Sequence, residues 1–357
     1  MVKNCAKSSV LLLIAMLASS AFSISETETD TDTEQEVAVE TYDPPVPLEK
    51  ENPRYPREAL TQGIEGWVTL HYMVSPSGSP YEIEIVDSSG NKSLEQAAKR
   101  AAKKYQYEPA QMNGSPIDAG AATRIIFALS GGTSGVSVKF WKLFRRFQKA
   151  AQNGNLKDME VLITKINDFE TRDLHEASIR YIAQGSYAQR INDQEGVRLA
   201  FTRALDLDED QDGAYLTESQ RPNLLVALMQ AQVATQHFKD ALDTWKKLAL
   251  LIEDPQRKSR LQRQADQIQQ FIKEGGPIEV TGRIRGHYRY KYRLISNSFS
   301  VSSINGRLAE AQIYCDRGMK GFALEEDMSY GIPEELGECN LIIIGDPETT
   351  FTVFEGS

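Results

Sequence analysis

Side chains that carry chemistry are sparse in this 357-residue chain, which has four histidines and three cysteines. His71, His175, His237 and His287 are scattered, and none stands in a His-x-x-x-His or comparable metal spacing. No Cys-x-x-Cys occurs either, so a zinc site lacks its usual ligands. Gly131-Gly132-Thr133 and Gly275-Gly276 have neither the lysine nor the strand-to-helix context of a phosphate loop, and read as linkers between domains. Nucleophile, base and orienting group are nowhere found in combination, so no catalytic residue, metal or cofactor is expected. Positive charge is in deficit as well. A net charge of −10 argues against a general nucleic-acid binder, because phosphate would be repelled at long range.

What is present begins with an export pattern in residues 1–23. Lys3 and Lys7 give a positive start, Val10 opens an apolar run, and Ala21-Phe22-Ser23 is a small-residue cleavage pattern. The apolar stretch falls short of the roughly 20 residues a spanning helix needs, and acidic residues begin at Glu26. A cleaved signal is the expectation, with an uncleaved anchor as its competitor. Cys5 precedes the apolar run, whereas a lipoprotein cysteine follows it, so lipidation is not expected. Cleavage leaves Cys315 and Cys339, an even pair in a compartment that permits disulfides, and a bond between them is expected. Closing that loop stabilises by about 3 kcal/mol in the chain-entropy model.

Composition and periodicity divide the remainder. Residues 24–52 are a Thr/Glu/Asp run followed by Pro44, Pro45, Pro47 and Pro53, read as a disordered then extended linker. Residues 53–131 read as strand, strand, helix, strand. Val68, Leu70, Tyr72 and Val74 alternate with Trp67, Thr69, His71 and Met73, and the pattern puts His71 on a polar, solvated face. A helix beginning at Ser93 carries Leu94, Ala97, Ala98, Ala101 and Ala102 on one side. Residues 137–274 are helices in pairs. Tyr181, Gly185, Ala188, Val197, Phe201 and Ala204 stand at offsets that resemble a degenerate tetratricopeptide repeat, in which small residues let paired helices approach. Residues 277–357 look all-β. There Arg283, Arg285, His287, Arg289, Lys291 and Arg293 alternate with apolar and tyrosine residues, giving a basic face. That face would meet anionic envelope polymers or an acidic partner, or else stand solvated above a tyrosine core, which is the favoured reading. The fold class expected is α+β multidomain: an antiparallel sheet with one helix, an α-helical repeat domain, and a small all-β domain.

Within residues 44–130 several pieces fall in a specific order: Asn52-Pro53-Arg54-Tyr55-Pro56, Ala59, Gly63-Ile64-Glu65-Gly66, the Gly78 turn, Val86-Asp87-Ser88-Ser89-Gly90, and Tyr107-Glu108-Pro109-Ala110 followed by Gly114-Ser115-Pro116. Together they resemble the TonB C-terminal domain, over about a quarter of the chain. Read from the residues alone, Gly63, Gly66 and Gly78 permit turns and Pro56 sets the approach to the first strand.

The resemblance implies recognition of short extended peptides of outer-membrane partners by addition to a sheet edge, where backbone groups supply affinity. The candidate edge is Thr123, Arg124, Ile125, Ile126, Phe127, Ala128 and Leu129, the alternative being an edge protected by neighbouring structure. The helical repeats offer a groove for a second protein contact. Energy transduction by this family also implies an N-terminal membrane helix and a long proline-rich spacer, from both of which this chain departs. The expectation is therefore a periplasmic scaffold or accessory factor in outer-membrane transport or envelope assembly, bound peripherally or not at all to membrane. The alternatives are an inner-membrane-anchored transducer and an envelope enzyme with its site in the C-terminal β domain.

Overall fold

The computed structural model describes residues 42–129, 136–170, 173–285 and 289–356. The expected signal, the acidic tether, Gly131-Gly132-Thr133 and His287 lie outside them. Residues 42–43 and 46–49, read above as linker, are strand instead. β1 (Tyr42–Asp43) and β2 (Val46–Glu49) pair antiparallel with later segments of the first module. Proline fixes φ in the extended region and is tolerated at a sheet edge, so Pro47 can stand opposite Tyr107 without a donor.

Helix α1 (Arg57–Gln62) stops at Gly63, whose φ of 65° is the left-handed cap that glycine adopts without penalty. β3 (Gly66–Val74) and β4 (Pro80–Ser88) form a hairpin, and α2 (Lys92–Ala102) follows. The helix begins at Lys92, one residue before the expected Ser93, because the Asn91 side chain caps it by accepting from the amides of Ser93 and Leu94. β5 (Gln106–Glu108), β6 (Ala110–Met112), β7 (Ser115–Ile117) and β8 (Ala119–Phe127) complete the module. Its main sheet has the order β4-β3-β8, antiparallel throughout. Val68, Leu70, Tyr72 and Val74 pack with the α2 alanines, Ile125 and Phe127 into one core.

Short connections then fold α3 (Val138–Gln152), α4 (Leu156–Asp168), α5 (Leu174–Arg190), α6 (Gln194–Glu209), α7 (Gln220–Ala234), α8 (Phe238–Ala249) and α9 (Pro255–Glu274) against their neighbours. Gly185 lets α5 and α6 touch: a Cβ there would lie inside the ring of Phe201. The polar stretch between α6 and α7 is organised by one buried carboxylate. Asp208 accepts from the amides of Tyr215 and Leu216 and from Arg221.

The C-terminal segment consists of β9 (Ile278–Arg283), β10 (Arg289–Arg293), β11 (Ser298–Asn305), β12 (Leu308–Cys315), β13 (Gly318–Phe322), β14 (Ser329–Gly331), β15 (Cys339–Gly345) and β16 (Thr350–Glu355). Two four-stranded sheets, β10-β15-β12-β13 and β14-β11-β16-β9, enclose a core that includes Tyr290, Tyr292, Phe299, Leu341 and Phe351. The single basic strand expected over residues 283–293 is thus two strands in different sheets. Arg283 closes one and Arg289 opens the other. Cys315 and Cys339 are directly opposed on β12 and β15 and are disulfide-bonded. No helix among the described residues is long and apolar enough to cross a membrane.

Candidate functional site

Strand β8 pairs with β3 on one side only. Its range is 119–127, so Thr123, Arg124, Ile125, Ile126 and Phe127 lie within it while Ala128 and Leu129 follow its end. Among the described residues the outer side receives one backbone hydrogen bond, from the Gly120 amide to the Asp316 carbonyl. That bond fixes the phase of the strand: in an antiparallel ladder alternate residues point their backbone groups outward, so Ala122, Arg124 and Ile126 follow Gly120 in doing so. Both faces of β8 are occupied. Ile125 and Phe127 enter the core under α2, whereas Ile126 packs beside Trp67, Leu174 and Leu207. Arg124 stacks 5.2 Å from the Trp67 ring and donates to Asp210 at 2.6 Å and Asp206 at 3.3 Å. The amide of Leu129 is taken by Glu65 Oε1, whose other oxygen accepts from Leu174 at the start of α5. What the strand leaves open is therefore backbone, along its outer rim.

The motif residues hold this sheet in place. Tyr55 donates to the Ile64 carbonyl at 2.6 Å and sets its ring edge-on to Phe127. Pro56 precedes α1, and Gly66 passes so close to Ser89 and Leu94 that a Cβ would collide with both. Gly78 has a φ of 80° and lies against the Tyr107 carbonyl, and its own carbonyl accepts from the Tyr107 amide. Pro109 links β5 to β6, and Ala110 is fully buried opposite Ile117.

The second face of the sheet is not solvated. Trp67 is 1 % exposed and His71 7 %, because α5, α6 and the C-terminal β module cover them. The reading of His71 as a solvated strand residue is corrected here: alternation divides a strand into two faces but does not say what covers the second. His71 meets the Tyr314 ring at 5.4 Å, and its Nε2 accepts from Lys291 Nζ at 3.5 Å. Burial, then the nearby Lys291 charge, lower its pKa to about 3, which keeps the imidazole neutral.

The basic face stands above a tyrosine core and its Arg283 and Lys291 are exposed, but its arginines are tied up by carboxylates of the same chain. Arg285 pairs with Asp193, Arg289 with Glu84, and Arg293 with Asp240, Asp243 and Glu338. Arg283 reaches Glu348, in the more exposed pair. These contacts join the β module to β4 and to the turn before α6 and the helix α8. Sequence reading saw the basic half of this arrangement and missed the acidic half, although Asp193, Glu195, Asp240 and Asp243 stand close together in two clusters.

The helical groove expected to hold a partner faces this chain's own β10 and the sheet β4-β3-β8. Between them remains a cleft of about 1080 Å³, to which Thr69, Asp87, Arg124, Arg203, Asp206 and Lys291 contribute. Arg203 bridges to Asp87 at 2.9 Å. Burial pushes the Asp206 carboxyl up to about 6 in spite of Arg124 and Lys247 nearby. Lys291 has its pKa lowered, again first by burial. Among the described residues no group of three or more His, Cys, Asp or Glu is placed to hold a metal ion.

Comparison with known proteins bears on the first module. Residues 51–129 match the family described as Gram-negative bacterial TonB protein C-terminal. Protein tonB2 of Pseudomonas aeruginosa is 39% identical over 83 residues, which cover 23% of this chain and 31% of that protein. Protein TonB of Vibrio cholerae is 34% identical over 79 residues, covering 22% and 32%. The solution NMR structure of the Pseudomonas aeruginosa TonB CTD is 26% identical, covers 24% of this chain and 87% of that one, and superposes with a TM-score of 0.22. The chain spans about a third of the length of the curated relatives it matches. Residues 51–129 are a TonB C-terminal domain.

Proposed function

With that domain as premise, we propose that the protein is an exported envelope factor that binds rather than catalyses, taking a short extended peptide of an outer-membrane or periplasmic protein along the outer rim of β8. The observation that carries this reading is the one-sided pairing of β8, with a single backbone bond spent on its outer side at Gly120. An unpaired rim offers a row of N–H and C=O groups, so a peptide can gain backbone hydrogen bonds without displacing anything. The far end of the rim is closed by the Asp316 turn, which sets where an added strand must stop. In this reading the helix pairs are degenerate tetratricopeptide-like repeats. With the C-terminal β module they act as a scaffold, and ion pairs such as Arg124 with Asp210 fix the sheet against them. The role is that of an accessory factor in outer-membrane transport or envelope assembly.

The test is Ala122→Pro. Ala122 is exposed and its amide faces outward, so proline removes one rim donor while the ladder to β3 stays whole. Immobilised peptides spanning the periplasm-facing segments of the cell's outer-membrane proteins are screened against the full chain. Peptides that bind the wild type are expected to lose about tenfold in affinity with the variant, the equivalent of one or two hydrogen bonds. Unchanged affinity in a variant with wild-type melting behaviour removes the edge reading. Sequencing the mature N-terminus decides between a free periplasmic factor and an anchored transducer.

A further inference from the structure

Helix α3 carries charge that nothing in this chain balances. Its sequence holds no carboxylate and five cations, Lys139, Lys142, Arg145, Arg146 and Lys149, all of them exposed. None has a carboxylate within ion-pair distance among the described residues. Lys142, Arg145, Arg146 and Lys149 stand three or four residues apart, so each meets like charge on the next turn, which destabilises a helix. Lys139 adds positive charge to the first turn, where the helix dipole is already positive. The neighbouring α4 contributes two cations and three acids, so the hairpin as a whole stays cationic.

The opposite side of α3 keeps this face turned outward. Phe140, Phe144, Phe147 and Ala150 are buried in one core with Met159 and Ile163 of α4 and Ile179 of α5. Ser137 caps the helix by accepting from the Phe140 amide, and its own amide donates to Glu176 of α5. The cationic row, about 15 Å long from Lys139 to Lys149, therefore cannot rotate away.

The outward face has an apolar end. Val138 and Trp141 are 69% and 42% exposed, each one turn before a cation of the row, Lys142 and Arg145. The Trp141 ring leans on Phe144 at 5.8 Å, which holds it half in water. Indole beside a row of lysine and arginine is the composition that suits the boundary between lipid headgroups and acyl chains. A folded acidic protein is selected by interleaved charges of both signs, whereas this helix offers one sign only. The net charge of −10 opposes an anionic surface from afar, but it is screened beyond about 8 Å at physiological salt, so the local row decides at contact.

We propose that α3 is a membrane-contact surface that lies flat on a bilayer of anionic phospholipid. Lys142, Arg145, Arg146 and Lys149 face the headgroups, and Val138 and Trp141 enter at their edge. Each cation near such a surface strengthens binding about fivefold. The surface lies outside the TonB domain and does not depend on peptide addition to β8.

The experiment sediments the mature protein with two kinds of vesicle, pure phosphatidylcholine and phosphatidylcholine with about one-third phosphatidylglycerol. Binding to the anionic vesicles is expected to be about tenfold or more tighter, and to weaken as salt is raised. The double variant Lys142→Gln, Arg146→Gln removes two charges without touching the core, and should bind them about 25-fold more weakly. Its melting temperature should hold or rise, because a repulsion is relieved. Trp67 and Trp245 are buried, so a blue shift of tryptophan emission on the anionic vesicles should come from Trp141 and vanish in Trp141→Phe. Equal binding to both vesicles, a double variant that binds as the wild type does, or unchanged emission at saturation overturns the proposal. So does preferential binding of soluble polyglutamate over the vesicles, which would make α3 a contact for an acidic protein. Salt response and emission are read on the wild type, so they decide the matter even if the double variant does not fold.

Discussion

Acidification should destabilise this protein through His71, and the size of the effect follows from its setting. The ring is 7 % exposed, packed on Tyr314, and held beside the Lys291 charge. Its pKa is lowered from 6.5 to about 3. Between those values the unfolded chain takes up a proton that the folded chain refuses. Stability is therefore fully present above about pH 6.5 and falls as pH drops through that window. At about pH 5 the loss from this one group is about 2 kcal/mol relative to pH 8. Other groups titrate in the same range. His237, also buried, acts in the same direction, whereas Asp206, raised to about 6, acts in the opposite one. The contribution of His71 is isolated by His71→Gln, whose amide reaches the position of Nε2 and cannot be protonated. Urea unfolding, followed by far-UV circular dichroism, is compared at the two pH values. The wild type should lose about 2 kcal/mol more than the variant on going from pH 8 to pH 5. Equal losses would refute the reasoning, because they would mean that His71 is protonated in the folded state as readily as in the unfolded one.

Two further perturbations probe how the modules are held. Gly78→Ala puts a Cβ into the Tyr107 carbonyl at a φ of 80°, so it should destabilise the TonB domain by about 2 kcal/mol or more, read as a lower melting temperature. Trp67→Ala empties the contact with Leu174, Leu207 and Tyr181 and removes the ring under Arg124. A loss of about 3–5 kcal/mol is expected, with earlier hydrogen exchange at β3 and α5 than in α2. A Trp67→Ala variant as stable as the wild type would mean that the sheet and the helices barely depend on each other.

Much of the sheet of the TonB domain was legible from residue order. Val68, Leu70, Tyr72 and Val74 repeat with period two, the α2 alanines with the helical period, and turn glycines stand where φ must be positive, as at Gly63 and Gly78. These are local rules, and a chain obeys them before any distant contact forms. The pairing of Cys315 with Cys339 needed only arithmetic once Cys5 was assigned to the signal. The extended arm was misread for an equally local reason. A proline-rich stretch prefers the same backbone angles whether it is free or paired, so sequence could not tell linker from β1 and β2.

The amino-acid sequence by itself determined the long elements of the first module, β3, β4, α2 and β8, and which face of β3 is apolar. Tertiary structure alone decided what lies against each face. The outer face of β3 holds a histidine and a threonine and reads as solvated, yet it is buried because the C-terminal β module supplies Tyr314 and helix α6 supplies Leu207. The arginines from 283 to 293 read, in the favoured view, as a solvated face above a tyrosine core, yet Arg285, Arg289 and Arg293 find counter-ions at residues 84, 193, 240 and 243 of the same chain. Charge and hydropathy along a strand show what a surface requires of a partner. Whether that partner is solvent, another molecule or a distant part of the same chain is set by long-range packing.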